Sequence, residues 1–372
     1  MTYVRKIALC LPCLLVGNDS LADTPLGWIS TENPSAYTID ALDAELSLGK
    51  VMVNDTIDFL NIRSDLLAGT RKLVGNSGDL QGQRAEVQFG LTSSLSVFYR
   101  HQEQDLKIEL GEIASIGLTD ISNGLSTTAT AYGFKWNFFE SGYYDNSGPW
   151  HAAALEVMRT RNVTDDYEGH FDRVTINENF IVTFTDPQTF RLDSMEDEGW
   201  QARLLYSAPL SSTMATTVWA GYGETSASSG TSADIVLEQL VDDFYQHFDM
   251  EDRHYMLGAS VHWQLTPRIP VQLSYEFLRV NNSKTDIVAP PSNSVLPSFL
   301  RGDNLGTVSE HSNHTLRGSV SYWVTPDVHV SFTGKLFSNQ FLGVIPHYNN
   351  PLSGSFADKP YGYVGLQLGL RL

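Results

Sequence analysis

Apolar and polar residues alternate along this chain in segments of roughly ten residues. Between residues 84 and 91, for example, apolar residues such as Val87 and Phe89 alternate with the polar residues Arg84, Glu86 and Gln88. Because successive side chains of a strand point to opposite faces of a sheet, this period predicts strands with one apolar and one polar face. The same alternation recurs in residues 132–138, 200–207, 255–264, 271–277, 328–335 and 364–372.

Long apolar runs are absent from the sequence beyond residue 22, where nothing approaches the roughly 18 consecutive apolar residues that a membrane-spanning helix needs. The interior of a bilayer has no water to satisfy backbone polar groups, so only helices and closed β-barrels cross it. If this chain spans a membrane, we therefore expect it to do so as a barrel.

The connections between the predicted strands alternate between short and long. Three short ones, at 91–95, 265–269 and 324–328, contain threonine followed by serine or proline, which suits tight turns. Two more short connections lie near 146–149 and 209–213, and the long polar ones lie near 67–80, 113–127, 162–198, 224–250, 281–309 and 339–358. These connections join twelve strands, predicted near 54–66, 81–91, 95–110, 128–140, 150–161, 199–208, 214–223, 253–265, 269–280, 310–324, 328–338 and 361–372. An even number of strands places both termini on the periplasmic side, with the short turns.

The N-terminus has the pattern of a secretory signal: Arg5 and Lys6 precede the apolar stretch 7–17, and small residues precede Asp23. We expect residues 1–22 to be removed by cleavage after Ala22. Both cysteines of the sequence lie within this segment, so the exported chain has neither a disulfide nor a thiolate zinc site. We assign 23–53 to an N-terminal periplasmic or plug segment and 54–372 to the barrel. Two interpretations of the end of that segment remain open, a short amphipathic plug helix over 41–48 or an earlier first strand beginning at 46–53.

Alternation alone does not separate a membrane barrel from a soluble sheet, which also has one apolar face. The export signal, the unequal connections and a final strand that runs to the last residue favour the barrel. Aromatic residues also gather beside the short turns, where those of an interfacial belt would lie. They are Trp136, Phe138, Phe139, Tyr143, Tyr144, Trp150, Tyr206, Trp263, Tyr322 and Trp323.

These features together resemble the porin-like superfamily of Gram-negative outer-membrane β-barrels over nearly all of the exported chain, without pointing to a particular family. The resemblance implies an all-β fold: a transmembrane, antiparallel, up-and-down barrel of about twelve strands with short periplasmic turns and long extracellular loops. It also implies localisation in the outer membrane, contact with outer-membrane lipids and lipopolysaccharide, and insertion by the barrel-assembly machinery. One difference is the last residue, since members usually end in an aromatic residue and this chain ends in Leu372.

The polar faces of the predicted strands would line the lumen, because lipid surrounds the outer face. The side chains expected there are Arg84, Glu86, Arg100, Lys135, Glu156, Arg203, His262, Glu276, Arg317, Lys335 and Arg371. Basic residues outnumber acidic ones in this set, although the whole chain has a formal net charge of −19. That net charge argues against a nucleic-acid partner.

A basic lumen favours a channel that passes small solutes, anions among them, because basic side chains lower the barrier for negative charge. In this respect the chain is similar to the twelve-stranded channels for acidic oligosaccharides, which are lined by arginines. The alternative is a closed structural or surface-binding barrel whose lumen side chains pair with one another.

Catalysis and metal binding are the weaker interpretations. His311 and Ser312 suggest the His-x-Ser pair of outer-membrane lipid hydrolases, but adjacent residues of a regular strand face opposite sides and cannot act as base and nucleophile. Acidic clusters at 165–172, 193–198 and 242–252 have no EF-hand spacing, so we interpret them as solvated loops. We therefore predict a protein without enzymatic activity, cofactor or metal site.

Overall fold

The structure is a computed structural model of the 372-residue chain. It describes residues 33–53, 77–108, 116–120, 125–141, 150–177, 180–233, 247–287, 312–337 and 361–372. In these ranges it contains fourteen strands, all paired antiparallel. They are β1 (Ala44–Val53), β2 (Ser77–Thr92), β3 (Leu95–Ile108), β4 (Ile116–Asp120), β5 (Leu125–Ser141), β6 (His151–Thr164), β7 (Tyr167–Asn177), β8 (Phe180–Ser211), β9 (Met214–Ala233), β10 (His247–Thr266), β11 (Ile269–Ile287), β12 (Ser312–Trp323), β13 (Val328–Phe337) and β14 (Tyr361–Arg371).

Twelve of these strands close into a barrel, as the sequence predicts. Each strand of the ring pairs with the next one along the chain once β4 and β7 are left out. Strand β14 pairs with β1 and closes the cylinder, with Leu48 opposite Leu368. The other two strands lie outside the ring: β7 pairs with the first part of β8, and β4 pairs with β7. The hairpin of β7 and β8 agrees with the alternation of the sequence over 171–184.

The first strand differs from the predicted position. Residues 54–66 lie outside the described part of the chain, and the barrel begins at Ala44, so its boundary is earlier than the predicted residue 54. Glu45 is buried on the inner face and Leu48 is exposed on the outer face, which is the period of a strand and excludes the plug helix over 41–48. Leu42, with φ of 70°, lies in the left-handed region at the turn that leads into β1.

The barrel is apolar outside and polar inside. Val87, Leu257, Leu273 and Leu368 all point outward, and Leu257 is 62% exposed. A soluble sheet would instead bury these side chains in a packed centre, so their exposure identifies the outer face as the lipid-facing surface of a membrane barrel. No α-helix with the length and hydropathy of a membrane span occurs in the described ranges.

Aromatic side chains form a belt at each end of the outer face. Beside the short turns, Trp136, Phe138, Phe139, Tyr206, Trp263 and Tyr322 are exposed as predicted. Two residues of the predicted belt face another way, because Trp323 is buried and Trp150 packs against the N-terminal segment. Tyr143 and Tyr144 lie outside the described ranges. Towards the opposite end, the rings of Trp200, Tyr222 and Tyr255 contact one another and mark the second interface.

Gly258 allows an indole ring to lie flat against the inner wall. It is directly opposite Trp219 on the neighbouring strand, and a β-carbon at residue 258 would overlap the ring of Trp219. We expect Gly258→Ala to lower the free energy of unfolding by about 1–3 kcal/mol, the usual cost of overpacking. Urea unfolding in detergent, followed by tryptophan fluorescence, measures this. Gly334→Ala is the matched control, because a β-carbon there meets open space, and an equal loss in both variants would contradict the prediction.

Candidate functional site in the barrel lumen

The predicted lumen residues all lie on strands of the ring, at positions that face inward. Most are buried, and Arg100, Arg317 and Arg371 are half-buried. Antiparallel pairing brings several to the same level, for example Glu156 opposite Arg203 and Arg317 opposite Lys335. Whether they form a path for a solute is a separate question, which depends on what these side chains contact.

A network of charged side chains crosses the middle of the lumen. Arg203 on β8 pairs with Glu156 on β6 and also reaches Glu276 on β11, three strands away in the sheet, at 3.4 Å. Arg317 donates to the other carboxylate oxygen of Glu276 at 3.1 Å, and the indole Nε1 of Trp219 donates to Glu276 at 3.1 Å. The network therefore joins opposite parts of the wall and fills the lumen with paired charges.

Further ion pairs line the lumen beside this network. Arg84 pairs with Glu86 at 3.0 Å. Arg371 pairs with Glu45, its Nη2 lying 2.7 Å from the carboxylate. Glu45 was not among the predicted lumen residues, because residue 45 was assigned to the segment before the barrel. The alternation of Glu45 and Ser47 with Leu46 and Leu48 was the signal that could have identified it. With Glu45 included, the excess of basic over acidic side chains in the lumen is smaller than predicted.

The other predicted lumen residues have separate surroundings. Lys335 lies 5.9 Å from the ring centre of Tyr363. The guanidinium group of Arg100 contacts the sulfur of Met158 at 2.8 Å. These contacts join Arg100 and Lys335 to residues outside the predicted set.

The N-terminal segment enters the lumen from the end that carries the short turns. Thr38 donates its hydroxyl to the carbonyl of Ser93 in the turn between β2 and β3, and Leu42 donates its N–H to the carbonyl of Gly90. Residues 33–37, which we call the plug segment, are buried inside the barrel. The segment is irregular rather than helical, with bends at Asn33 and Ala36, and so it plugs the lumen in a conformation that the sequence did not predict.

Polar side chains from five strands bind the plug segment. Its largest side chain, Tyr37, packs edge to face on Trp150 with ring centres 4.9 Å apart and donates its hydroxyl to the Trp150 carbonyl at 2.7 Å. Lys135 donates to the carbonyl of Tyr37 at 3.2 Å. The remaining hydrogen bonds come from Ser207, Ser260, Gln272, Ser274 and Ser319. The periplasmic part of the lumen is therefore occupied by the protein's own chain.

His262 lies beside Ser260 in a Ser-x-His arrangement on β10. The two side chains share one face, with Ser260 Oγ 3.1 Å from His262 Nε2. The serine hydroxyl also donates to the carbonyl of Pro34 at 3.1 Å, so its single proton is already used and the imidazole N–H can donate to the serine oxygen. A nucleophile needs the opposite direction of proton transfer, and this arrangement is therefore a hydrogen-bond relay to the plug segment. His311, the other catalytic candidate, lies outside the described residues.

The acidic clusters predicted as solvated loops lie partly on strands that extend past the outer aromatic belt. Glu196 pairs with Arg161 at 3.1 Å, Glu198 pairs with Arg159, and Glu168 pairs with Arg191 at 2.7 Å. Within the described ranges, no group of three or more histidine, cysteine or acidic residues could hold a metal ion. Asp242 and Asp243 lie outside those ranges.

Two buried carboxyl groups lie on the inner face just beyond the outer aromatic belt, outside the membrane-spanning part of the strands. Asp197 accepts a hydrogen bond from Asn162 at 2.8 Å, and Asp252 lies opposite Thr225. Burial raises the pKa of each carboxyl to about 7. The extracellular end of the lumen therefore carries two groups whose charge changes near neutral pH.

Comparison with known proteins gives no match to a family model and no match to a curated protein. Among solved structures, the chain is similar to the translocator domain of the autotransporter NalP from Neisseria meningitidis, with 8% identity, 90% coverage of both chains and a TM-score of 0.46. It is also similar to an outer-membrane channel from Pseudomonas putida F1, with 10% identity, coverage of 91% of this chain and 99% of that one, and a TM-score of 0.42. A third similar structure is the Pseudomonas putida toluene transporter TodX, with 12% identity, coverage of 95% of this chain and 96% of that one, and a TM-score of 0.41. These likenesses extend no further than a general resemblance between outer-membrane β-barrels.

Proposed function

We propose that the protein is an outer-membrane channel for small solutes, with anions as the favoured class, and that the plug segment closes it at rest. The observation that carries the proposal is the charged inner face within the membrane-spanning part of the barrel. The basic side chains Arg84, Arg100, Lys135, Arg203, Arg317, Lys335 and Arg371 outnumber the acidic side chains Glu45, Glu86, Glu156 and Glu276 there. Ionisable side chains within a membrane are costly, and they usually mark the path of an ion or solute. The proposal includes export by residues 1–22, assembly by the barrel-assembly machinery and contact with lipopolysaccharide.

Opening requires two rearrangements. The plug segment must leave the periplasmic part of the lumen, and the side chains of the central network must move towards the wall. The first step breaks neutral hydrogen bonds, each worth about 0.5–1.5 kcal/mol, and the hydrogen bond from Lys135, which as a charged donor is worth about 1.5–3 kcal/mol. The second step exchanges contacts between side chains for contacts with water and solute. We therefore expect the complete exported chain to open rarely.

Single-channel recording of refolded protein in planar bilayers tests the channel. We expect removal of residues 23–40 to raise the mean conductance at least about tenfold, because an opening free energy lowered by about 1.4 kcal/mol changes the open population by that factor. Reversal potentials in a salt gradient should show anion selectivity. Removal of residues 23–32 alone is the control, since it leaves the plug segment in place, and heat-modified migration on gels verifies folding. If the folded truncated barrel does not conduct, the channel proposal is wrong.

A closed structural or surface-binding barrel is the second candidate, and the burial of the central network favours it. Glu156 and Arg203 are each less than 5% exposed, as expected of a permanently filled lumen. The same recordings decide between the two candidates. A closed barrel should conduct no better than the bilayer alone, whether residues 23–40 are present or removed. Neither candidate includes enzymatic activity. This agrees with the hydrogen bonds of Ser260 and His262, in which the serine hydroxyl donates to the plug segment and not to the imidazole.

A further inference from the structure

The lumen contains a built site for a short stretch of polypeptide. We call it the plug site and define it by Trp150, Ser207, Ser260, Gln272 and Ser274. Three hydrogen bonds involve main-chain groups of the plug segment: Ala36 N–H donates to Ser207 at 2.9 Å, the Pro34 carbonyl accepts from Ser260, and the Tyr37 carbonyl accepts from Lys135. The site therefore binds main-chain groups at three successive points along the segment.

One pocket of the plug site recognises a carboxamide. Asn33 donates its Nδ2 to Gln272 Oε1 at 3.0 Å and accepts from the Ser274 hydroxyl at 2.9 Å through its Oδ1. Both ends of the amide are paired, and Asn33, Gln272 and Ser274 are all buried. A carboxylate in place of this amide has no hydrogen to donate to Gln272, and burying its charge there would be costly.

Lys135 lies at the other end of the plug segment, where it donates to the carbonyl of Tyr37. In the intact chain that carbonyl is a neutral peptide group. If a peptide ended at this position, its terminal carboxylate would take the place of the carbonyl and gain an ionic hydrogen bond, roughly twice as strong as a neutral one.

From these contacts we propose that the plug site is a binding site for short peptides with uncharged side chains, which the protein's own residues 33–37 occupy as a tethered internal ligand. A tethered segment acts at an effective concentration of about a millimolar or more, so it excludes free peptide from the intact chain. When the segment leaves, the buried serine and glutamine side chains lose these hydrogen bonds, and a peptide with the same pattern restores them. The inference rests on the proposed function in one respect, that the channel opens by release of this segment.

The test uses the folded barrel without residues 23–40 and a fluorescently labelled synthetic peptide, Asn-Pro-Ser-Ala-Tyr with a free C-terminus. We expect saturable binding by fluorescence anisotropy at micromolar peptide and no binding to the intact exported chain at the same peptide concentrations. A peptide with aspartate in the first position should bind at least about tenfold more weakly, because it buries a negative charge in the pocket and has no hydrogen to donate to Gln272. A C-terminally amidated peptide should also bind more weakly, because it lacks the charge next to Lys135.

Barrel variants locate the binding in the lumen. Gln272→Ala should weaken binding at least about tenfold through loss of the amide contact and its ordered surroundings. Ser321→Ala is the control: this buried lumen serine bonds Ser331 at 2.7 Å and does not contact the plug segment. Equal affinity for the asparagine and aspartate peptides, or an unchanged affinity in Gln272→Ala, would overturn the inference.

A second measurement covers the case in which the truncated barrel does not fold. In the complete exported chain, Ser35→Cys introduces a thiol at a fully buried position of the plug segment. Free peptide on the order of 10 mM, above the effective concentration of the tethered segment, should displace the segment and accelerate maleimide labelling, and an unchanged labelling rate would contradict the inference. Failure of the peptide site and failure of the channel are distinguishable. If the truncated barrel conducts but does not bind peptide, the channel proposal stands and the peptide site is wrong. If it binds peptide but does not conduct, the peptide site stands and the channel proposal is wrong.

Discussion

Replacing Arg203 by methionine is expected to lower the free energy of unfolding by about 3–5 kcal/mol, the usual cost of removing one partner from a buried ion pair. Arg203 bonds two carboxylates, Glu156 and Glu276, at positions with almost no solvent access. Methionine fills a similar volume but leaves Glu156 buried without this guanidinium. Glu276 keeps Arg317, so most of the loss is expected to come from Glu156.

Urea unfolding in detergent micelles, followed by tryptophan fluorescence, measures the effect of Arg203→Met. Arg159→Met is the matched control, because Arg159 pairs with Glu198 on the exposed outer face, where an ion pair contributes about 0–1 kcal/mol. The double variant Arg203→Met with Glu156→Leu should recover most of the loss, because it removes the stranded charge. A similar small loss in the Arg203 and Arg159 variants would show that the central network does not hold the barrel together.

Replacing Asp252 by asparagine is expected to stabilise the protein at alkaline pH and to have little effect at pH 4. Asp252 is 2% exposed, and among the residues that the structure describes nothing donates a hydrogen bond to its carboxylate. Burial raises its pKa to about 7, whereas in the unfolded chain the pKa is about 3.9. Between these values the folded protein retains a proton that the unfolded chain has lost. Stability therefore falls as pH rises, and the fall ends above pH 7.

The expected gain from Asp252→Asn at pH 8 is about 2–4 kcal/mol, from a pKa shift of about three units at 1.36 kcal/mol for each unit. Urea unfolding at pH 5 and pH 8 measures it. Glu251→Gln removes a carboxylate from the neighbouring position on the exposed face, where we expect a change within about 0.5 kcal/mol at both pH values. A gain in Asp252→Asn that is the same at both pH values would contradict the burial argument.

The strand number and the two faces of the barrel were predictable because each follows from local alternation. Val87 and Leu257 needed only their own neighbours in sequence to be assigned to the lipid-facing side, and the structure confirms both. The first strand was placed too late because the alternation of Glu45 and Leu46 begins within a segment that also has helical spacing. The segment is a strand because it pairs with both β2 and β14, and the alternation of its own residues does not reveal these distant partners.

The contacts inside the lumen were not predictable in the same way. Alternation assigns Arg203 and Glu276 to the inner face, but it does not indicate that side chains on β8 and β11 meet across the barrel. The excess of basic residues suggested an open path, whereas most of them lie in ion pairs or bind the plug segment. Asn33 lies in a stretch without periodicity, and its conformation is set by partners more than 200 residues away in sequence.

Strand β8 is much longer than a membrane crossing requires. It has 32 residues, which corresponds to roughly 100 Å of extended chain, whereas about ten residues suffice to cross a bilayer. The wall formed by β8 therefore extends well beyond the lipid into the external medium. Molecules that approach the barrel on this side meet protein well before they reach the membrane plane.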